Sequence, residues 1–379
     1  MRLPVLVLLF CCFISAQAQQ PKGLIKRLIH KTFSTEVDSS GNGNSFFVVP
    51  AFGYAQETGA EIGVAATYNF FLDKTSSSRK TSTLTLISTF TTKGQKKINT
   101  NAELWTKDND YHILLELRAR DWPFNFYGIG NKTRKADEDL LDHTLYRVKV
   151  EVEKKIANHI YLGLNSSYDH FKFADQEADG IFDTLPLYGK DGGQYVTFGF
   201  SALYDSRDLP TYSNTGIYLR IKGTYAPRFF TSKDYKGTMV EADLRGFKKL
   251  YRNVNLAAQI LYRGTYGHNL PFYTLRDLGG DMTMRGYYLG RYRDKNYIAT
   301  QAEIRYRFHP RLGINAFAGT GTTFSKTFSA RLVPSYGIGG RYFYSLKHAS
   351  SIRLDYAIGE QRHGEKRQSG IYLSIAEAF

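Results

Sequence analysis

From about residue 45 onward, apolar and polar side chains alternate in runs that are long for a soluble sheet. Between Tyr297 and Phe308, the residues Ile298, Thr300, Ala302, Ile304, Tyr306 and Phe308 alternate with Ala299, Gln301, Glu303, Arg305 and Arg307. A period of two sends alternate side chains to opposite faces of an extended strand, so one face here is apolar and the other charged. Val148, Val150 and Val152 interleave with Arg147, Lys149, Glu151 and Glu153 in the same way. So do Ile217, Leu219 and Ile221 with Tyr218, Arg220 and Lys222, and Ile352, Leu354, Tyr356 and Ile358 with Arg353 and Asp355. Soluble antiparallel sheets also alternate, with the apolar face inward, so the period alone is silent on which face is inside.

Three features favour lipid outside and water inside. The runs are about ten to fourteen residues long, suited to a tilted membrane crossing, whereas soluble strands average five or six. Full charges recur on the polar face of nearly every run, as in a hydrated lumen. The chain ends in an apolar alternation, Ile371, Leu373, Ile375 and then Phe379, whose terminal aromatic resembles the outer-membrane assembly signal.

The pattern predicts strands over Ser45–Ala55, Gly59–Leu72, Thr81–Lys93, Gln95–Lys107, Asp110–Arg120, His143–Ile156, Asn158–Phe173, Gln194–Tyr204, Thr215–Ala226, Gly237–Lys249, Asn253–Gly267, Tyr297–Phe308, Leu312–Thr320, Val333–Tyr344, Ser350–Glu360 and Gln368–Phe379. The fold class is therefore all-β, a 16-stranded antiparallel transmembrane β-barrel, an even number that closes with no free edge. Long linkers (Asp121–Asp142, Ala174–Gly193, His268–Asn296, Gly321–Leu332) fall on one side of this count, and the tight turns Ala157-Asn158 and His309-Pro310-Arg311 on the other. Membrane barrels show that asymmetry. Two linkers on the short-turn side, Asp73–Lys80 and Asp205–Asn214, are longer.

Residues 1–18 have the layout of a signal peptide: Arg2, an apolar stretch from Leu3 to Ile14, and a cleavage site at Ala16-Gln17-Ala18. Residues 19–44 are expected as a periplasmic extension and 45–379 as the barrel. In the extension, Leu24, Ile25, Leu28 and Ile29 share one helical face, with Lys22, Lys26, Arg27 and Lys31 elsewhere. That segment is either a short basic helix on the inner leaflet or disordered. Both cysteines, Cys11 and Cys12, lie inside the signal, so the processed chain is expected to hold no thiol, disulfide or thiolate metal site. No run of eighteen apolar residues follows, which excludes transmembrane helices.

Aromatics make up 15% of the sequence, with 28 Tyr and 26 Phe, an excess that suits the two girdles of a membrane barrel. The net charge of +15 is spread along the chain without basic runs, which argues against nucleic acid. It fits a positively lined lumen or contact with anionic outer-membrane lipids.

The longest linker contains Leu278-Gly279-Gly280-Asp281-Met282-Thr283-Met284-Arg285-Gly286-Tyr287-Tyr288, between the eleventh and twelfth strands. This resembles the signature of the BamA/TamA superfamily, the bacterial surface antigens, whose sixth external loop carries an Arg-Gly-aromatic tip. Phe126-Tyr127-Gly128-Ile129-Gly130-Asn131, and Tyr204-Asp205-Ser206-Arg207-Asp208 ahead of Asn214-Thr215-Gly216, extend the resemblance over about Ser45 to Phe379. It implies that the loop folds back into the lumen, that Arg285, Gly286 and Tyr287 form its latch, and that Glu303 is the partner on the wall. A guanidinium in a narrowed lumen needs a carboxylate acceptor, and Gly286 would let the backbone turn tightly beside it. At the thirteenth strand the family's aspartate is replaced by Gly319, which implies a weaker latch.

The resemblance also implies a role in inserting or assembling outer-membrane proteins, with unfolded clients as partners. The periplasmic polypeptide-transport-associated (POTRA) modules of the family are expected to have no room ahead of Ser45, so either a partner protein carries them or the barrel serves another role. A weak seam between first and last strands, marked by Gly53, Gly59, Gly63 and Gly370, would expose an edge to an incoming strand. The alternative class is a passive pore or structural barrel for small solutes or lipids. No catalytic motif or histidine cluster of ligand spacing is present, so the sequence predicts no enzyme, metal or cofactor. The acidic set Asp175, Glu177, Asp179 and Asp183 lacks the bidentate glutamate of a calcium loop and reads as a solvated loop.

Overall fold

The computed structural model describes residues 44–379 except 56–58, 74–78, 178, 231–234, 327–330 and 376, with backbone alone for 51–55 and 59. The expected signal (1–18) and the extension up to residue 43 lie outside the described residues. Nineteen strands form among them: β1 (Ser45–Ala55), β2 (Gly59–Phe70), β3 (Ser82–Thr91), β4 (Lys96–Trp105), β5 (Tyr111–Asp121), β6 (Phe124–Phe126), β7 (Asp139–Ala157), β8 (Ile160–Asp175), β9 (Gly192–Asp205), β10 (Gly216–Ala226), β11 (Gly237–Tyr251), β12 (Val254–Gly267), β13 (Arg276–Leu278), β14 (Tyr292–Asp294), β15 (Asn296–His309), β16 (Leu312–Phe324), β17 (Val333–Ser345), β18 (Ser350–Ile358) and β19 (Ser369–Ile375).

Apart from β6, β13 and β14, each of three residues, every strand is antiparallel to the one before it, β7 following β5 and β15 following β12. The result is one meandering antiparallel sheet; β13 and β14 pair only with each other, inside the loop between β12 and β15. Two-residue turns at 158–159, 252–253 and 310–311 mark one end of the sheet, and the loops 122–138, 176–191 and 268–295 mark the other. His159 closes the first turn with φ +63°.

The faces resolve what the period left open. On β15, Ile304 is 51% exposed while its neighbours Glu303 and Arg305 are 1% and 0% exposed. On β7, Tyr146, Val148, Val150 and Val152 are exposed while Glu151 and Glu153 are buried. A wall with its carboxylates inside and its valines outside is the reverse of a soluble protein, and it is stable where hydrocarbon surrounds it. Among the described residues no helix is long and apolar enough to cross a membrane.

No register joins β1 to β19 among the described residues, yet side chains bring the start of the sheet to its end. The Phe47 ring stacks on Tyr344 at 4.2 Å, and Asn69 donates to the Tyr344 hydroxyl at 3.3 Å. At the short-turn end, described residues of the two longer linkers make contacts far along the chain. Lys80 pairs with Asp205 at 2.6 Å and lies 4.2 Å from the Trp105 ring, while Thr211 donates to the His348 carbonyl. Burial draws the Lys80 ammonium below its usual value, against the pull of Asp205.

One expectation is corrected at the C-terminus. The strand expected over Gln368–Phe379 stops at Ile375, and Phe379 does not continue the outward row of Ile371 and Leu373, 66% and 62% exposed. It is 5% exposed, packed with Phe247, Ala257 and Ala378. Ala257 stands opposite Glu303 in the β12–β15 register, so this cluster lies on the inner face. The cause is Glu377, whose carboxylate takes two bonds from Arg341 Nε (3.1 and 2.8 Å) and turns the tail inward.

Candidate functional site

The loop between β12 and β15 leaves and rejoins the sheet through the β13–β14 hairpin, and its tip descends along the inner wall. A second segment singled out in the sequence, Phe126–Asn131, meets it there. Gly130 N–H donates to the Arg293 carbonyl at 2.7 Å, tying Phe126–Asn131 to the hairpin, and Arg291 lies 4.9 Å from the Tyr127 ring. An apolar collar of Leu261, Leu278, Met284, Tyr287, Tyr292, Tyr297, Ala299 and Val333 fixes the neck of the tip.

Arg285 is fully buried. Its Nη2 donates to Glu303 Oε2 at 2.9 Å and its Nη1 to Asp355 Oδ2 at 2.5 Å, while the guanidinium lies 3.4 Å from the centroid of the Phe317 ring. Glu303 also accepts from Arg305 Nε at 2.8 Å and from Arg341. Asp355 accepts from Arg353 Nη1 at 2.6 Å. Four guanidiniums and the three buried carboxylates Glu303, Asp355 and Glu377 thus form one network on β15, β17, β18, the tail and the loop tip. Isolated charges at this depth would be prohibitively costly; each here has at least one charged partner within hydrogen-bond reach.

The geometry shows what stands near Arg285 where Gly319 replaces the family's aspartate. Arg285 has a second carboxylate, supplied by Asp355 on β18, and β16 contributes the Phe317 ring in place of an acid. Space for this comes from β17, where a Cβ on Gly337 would lie 2.6 Å from the Phe317 ring and one on Gly339 would overlap Asp355. The alternation had placed Asp355 on the charged face, but period two cannot choose among the many charges there. Gly337 and Gly339, two inward positions lacking side chains beside a bulky neighbour, were the available signal.

Gly286 adopts φ +101°, and a Cβ there would sit 2.7 Å from the Ile358 carbonyl carbon, so the tip turns where other residues are excluded. Tyr287 donates to the Pro334 carbonyl at 2.6 Å and accepts from Glu360 N–H at 2.8 Å. Burial raises its hydroxyl well above the usual tyrosine range, which keeps it a donor. Ser335 donates to the Arg285 carbonyl at 2.5 Å.

The tip also grips the last strand. Gly286 N–H donates to Tyr372 Oη at 2.8 Å, Tyr372 donates to the Tyr287 carbonyl at 3.2 Å, and Ser374 donates to Asp281 at 2.8 Å. Tyr372→Phe removes the first two of these bonds, each worth about 1 kcal/mol. Amide exchange across β19 in a lipid nanodisc is expected to quicken about tenfold while β15 stays protected; unchanged exchange in β19 would show that the loop does not hold it.

Between the tip and the walls of β2 to β11 lies a cavity of about 810 Å³ with both signs of charge on its lining, among them Glu116, Arg147, Lys149, Glu151, Arg220 and Glu241. The acidic set after β8 serves its own backbone: Asp175 accepts from Glu177 N–H at 3.0 Å and Asp183 from Asp179 N–H at 3.2 Å. No cluster that could hold a metal ion occurs among the described residues.

Comparison with known proteins agrees with this architecture. Residues 53–379 match the Omp85 superfamily domain. Among solved structures, BamA from Haemophilus ducreyi lacking POTRA domains 1-3 superposes with a TM-score of 0.55 at 14% identity, over 92% of this chain and 75% of that one. CdiB from Acinetobacter baumannii gives 0.53 at 12% identity, over 88% and 59%, and CdiB from Escherichia coli 0.55 at 9%, over 87% and 61%. The chain therefore spans about three fifths of the CdiB chains. No curated protein sequence matches it significantly.

Proposed function

The chain belongs to the Omp85 superfamily, and on that premise we propose that it helps unfolded outer-membrane proteins to insert and assemble, beside a partner that carries periplasmic POTRA modules. The family and the fold imply an outer-membrane location and the general class of insertion or translocation barrel. In the proposed role the signal is cleaved after Ala18, the strands close into a barrel, and Arg285, Gly286 and Tyr287 form a latch on Glu303 that holds the long loop inside it.

The observation that carries this reading is the position of the latch. Its tip bonds the wall at Glu303 and Asp355 and the terminal strand at Tyr372, next to a sheet edge that pairs with no strand among the described residues. An unpaired edge is a template for an incoming strand. A loop that grips this edge from inside the lumen can govern its availability.

The test is the rate at which an unfolded outer-membrane barrel becomes folded in liposomes containing this protein or empty. Acceleration of several-fold is the expected result. No acceleration would assign the barrel to a pore or accessory role, and the search would turn to partners that co-purify from the membrane.

A further inference from the structure

The open edge of β1 carries a feature that the seam glycines do not explain. Thr92 N–H donates to the Ala60 carbonyl at 2.9 Å, so the even-numbered residues of β2 turn their backbone groups toward β3. The odd ones therefore face β1, because backbone groups alternate sides along an antiparallel strand. That makes Phe47↔Thr67, Val49↔Ala65, Ala51↔Gly63 and Gly53↔Glu61 the hydrogen-bonded pairs of the β1–β2 ladder. Pro50 stands opposite Val64 in an unbroken register, at a position whose backbone points away from β2. Its ring nitrogen, which has no hydrogen to give, faces the open edge.

The open edge of β1 therefore presents five positions, Phe46, Val48, Pro50, Phe52 and Tyr54, with no donor at the middle one. On β19, Gly359 N–H donates to the Gln368 carbonyl at 2.8 Å. Carried along the β18–β19 register, that alternation turns Gly370, Tyr372 and Ser374 toward β18 and leaves Ser369, Ile371, Leu373 and Ile375 on the free side. Any three consecutive positions out of five include the middle one. Every register in which β1 bonds three or more of the four free positions of β19 must set one of them against Pro50, and in a hydrocarbon setting a carbonyl left without a donor is costly.

We propose that Pro50 is a register stop on the seam edge. It keeps β1 from sealing onto β19, and it limits an incoming strand to two bonded positions on either side of the break. The partner this surface fits is an extended, apolar-faced strand of an unfolded membrane barrel, aligned by a short stretch of backbone bonds and weakly enough held to leave again. Pro50 is itself exposed on the outer face, so its ring meets lipid and not the core. This inference rests on the function proposed above for the role of the incoming strand, but the state of the seam can be read without any client.

Amide exchange over residues 46–54 is measured in nanodiscs for the full chain, for Pro50→Val, and for Pro50→Ala as a variant that restores the N–H without a branched side chain. The expected result is fast exchange at Phe46, Val48, Phe52 and Tyr54 in the natural protein, slowed about tenfold in both variants as the seam closes. Protection already present in the natural protein, or fast exchange in both variants, overturns the proposal. In the liposome assay the natural protein accelerates client folding if the broader reading holds, whatever Pro50 does. Pro50→Val is expected to lose at least half of that acceleration, and equal rates for the two proteins would remove Pro50 from the client step.

Discussion

Arg285→Ala is expected to yield a folded barrel whose long loop has let go. The buried network holds four guanidiniums against three carboxylates; without Arg285 it holds three against three, and Arg305, Arg341 and Arg353 still satisfy Glu303, Glu377 and Asp355. The wall therefore keeps its stability. The loop loses two charge-assisted bonds, each worth about 1.5–3 kcal/mol, which shifts the balance between seated and free tip by at least a hundredfold. In planar bilayers single-channel conductance should rise severalfold as the tip leaves the lumen, and acceleration of client folding should disappear. Arg285→Lys should fall between, because an ammonium reaches one carboxylate at a time and cannot bridge Glu303 and Asp355 as a planar fork does. An Arg285→Ala protein with unchanged conductance and full activity would sink the latch.

Glu303→Gln is expected to do the opposite and damage the wall itself. Glu303 accepts from Arg285, Arg305 and Arg341. Its neutral counterpart leaves four guanidiniums with two buried carboxylates, Asp355 and Glu377, in a region where all these side chains are at most 5% exposed. Removing one member of a buried ionic set costs about 3–5 kcal/mol, because the remaining charges stay behind without compensation. The temperature at which the folded band converts to the unfolded one on a semi-native gel should drop by well over ten degrees, far more than for Arg285→Ala. Equal shifts for the two variants would mean that Glu303 serves the loop alone.

The strands were legible in the sequence because each side chain in a barrel wall answers to one of two solvents, and a period of two records that choice residue by residue. β1 begins and ends at the expected residues, and most other boundaries differ by one to three. β7 begins four residues earlier than expected, at Asp139, because the hairpin it forms with β8 continues into the external loops. The short strands β6, β13 and β14 were invisible, since three residues carry no period. The candidate site was half legible. Arg285 and Glu303 carried a motif and a neighbouring acid, whereas Asp355 lies 70 residues from Arg285 and is joined to it only by the curvature of the sheet. The inward turn of Phe379 was hidden for a similar reason: the alternation runs on through Glu377, and only the arginines of distant strands explain why the backbone departs from it. Pro50 was in plain view, but its meaning depends on which way one nitrogen points, which no side-chain pattern encodes.

The placement of the charged network has a consequence in time. Its members come from the last third of the chain: Arg285 reaches Glu303 over 18 residues and Asp355 over 70, and Arg341 reaches Glu377 over 36. Phe47 and Asn69, by contrast, meet Tyr344, and for Asn69 the separation is 275 residues. The entropy lost on bringing two points of a chain together grows with the length between them, so contacts of short span are reached first. The strands nearest the C-terminus can thus consolidate around their own arginines while the first hairpin is still searching, and the meeting of the two ends is the slowest contact the chain has to find.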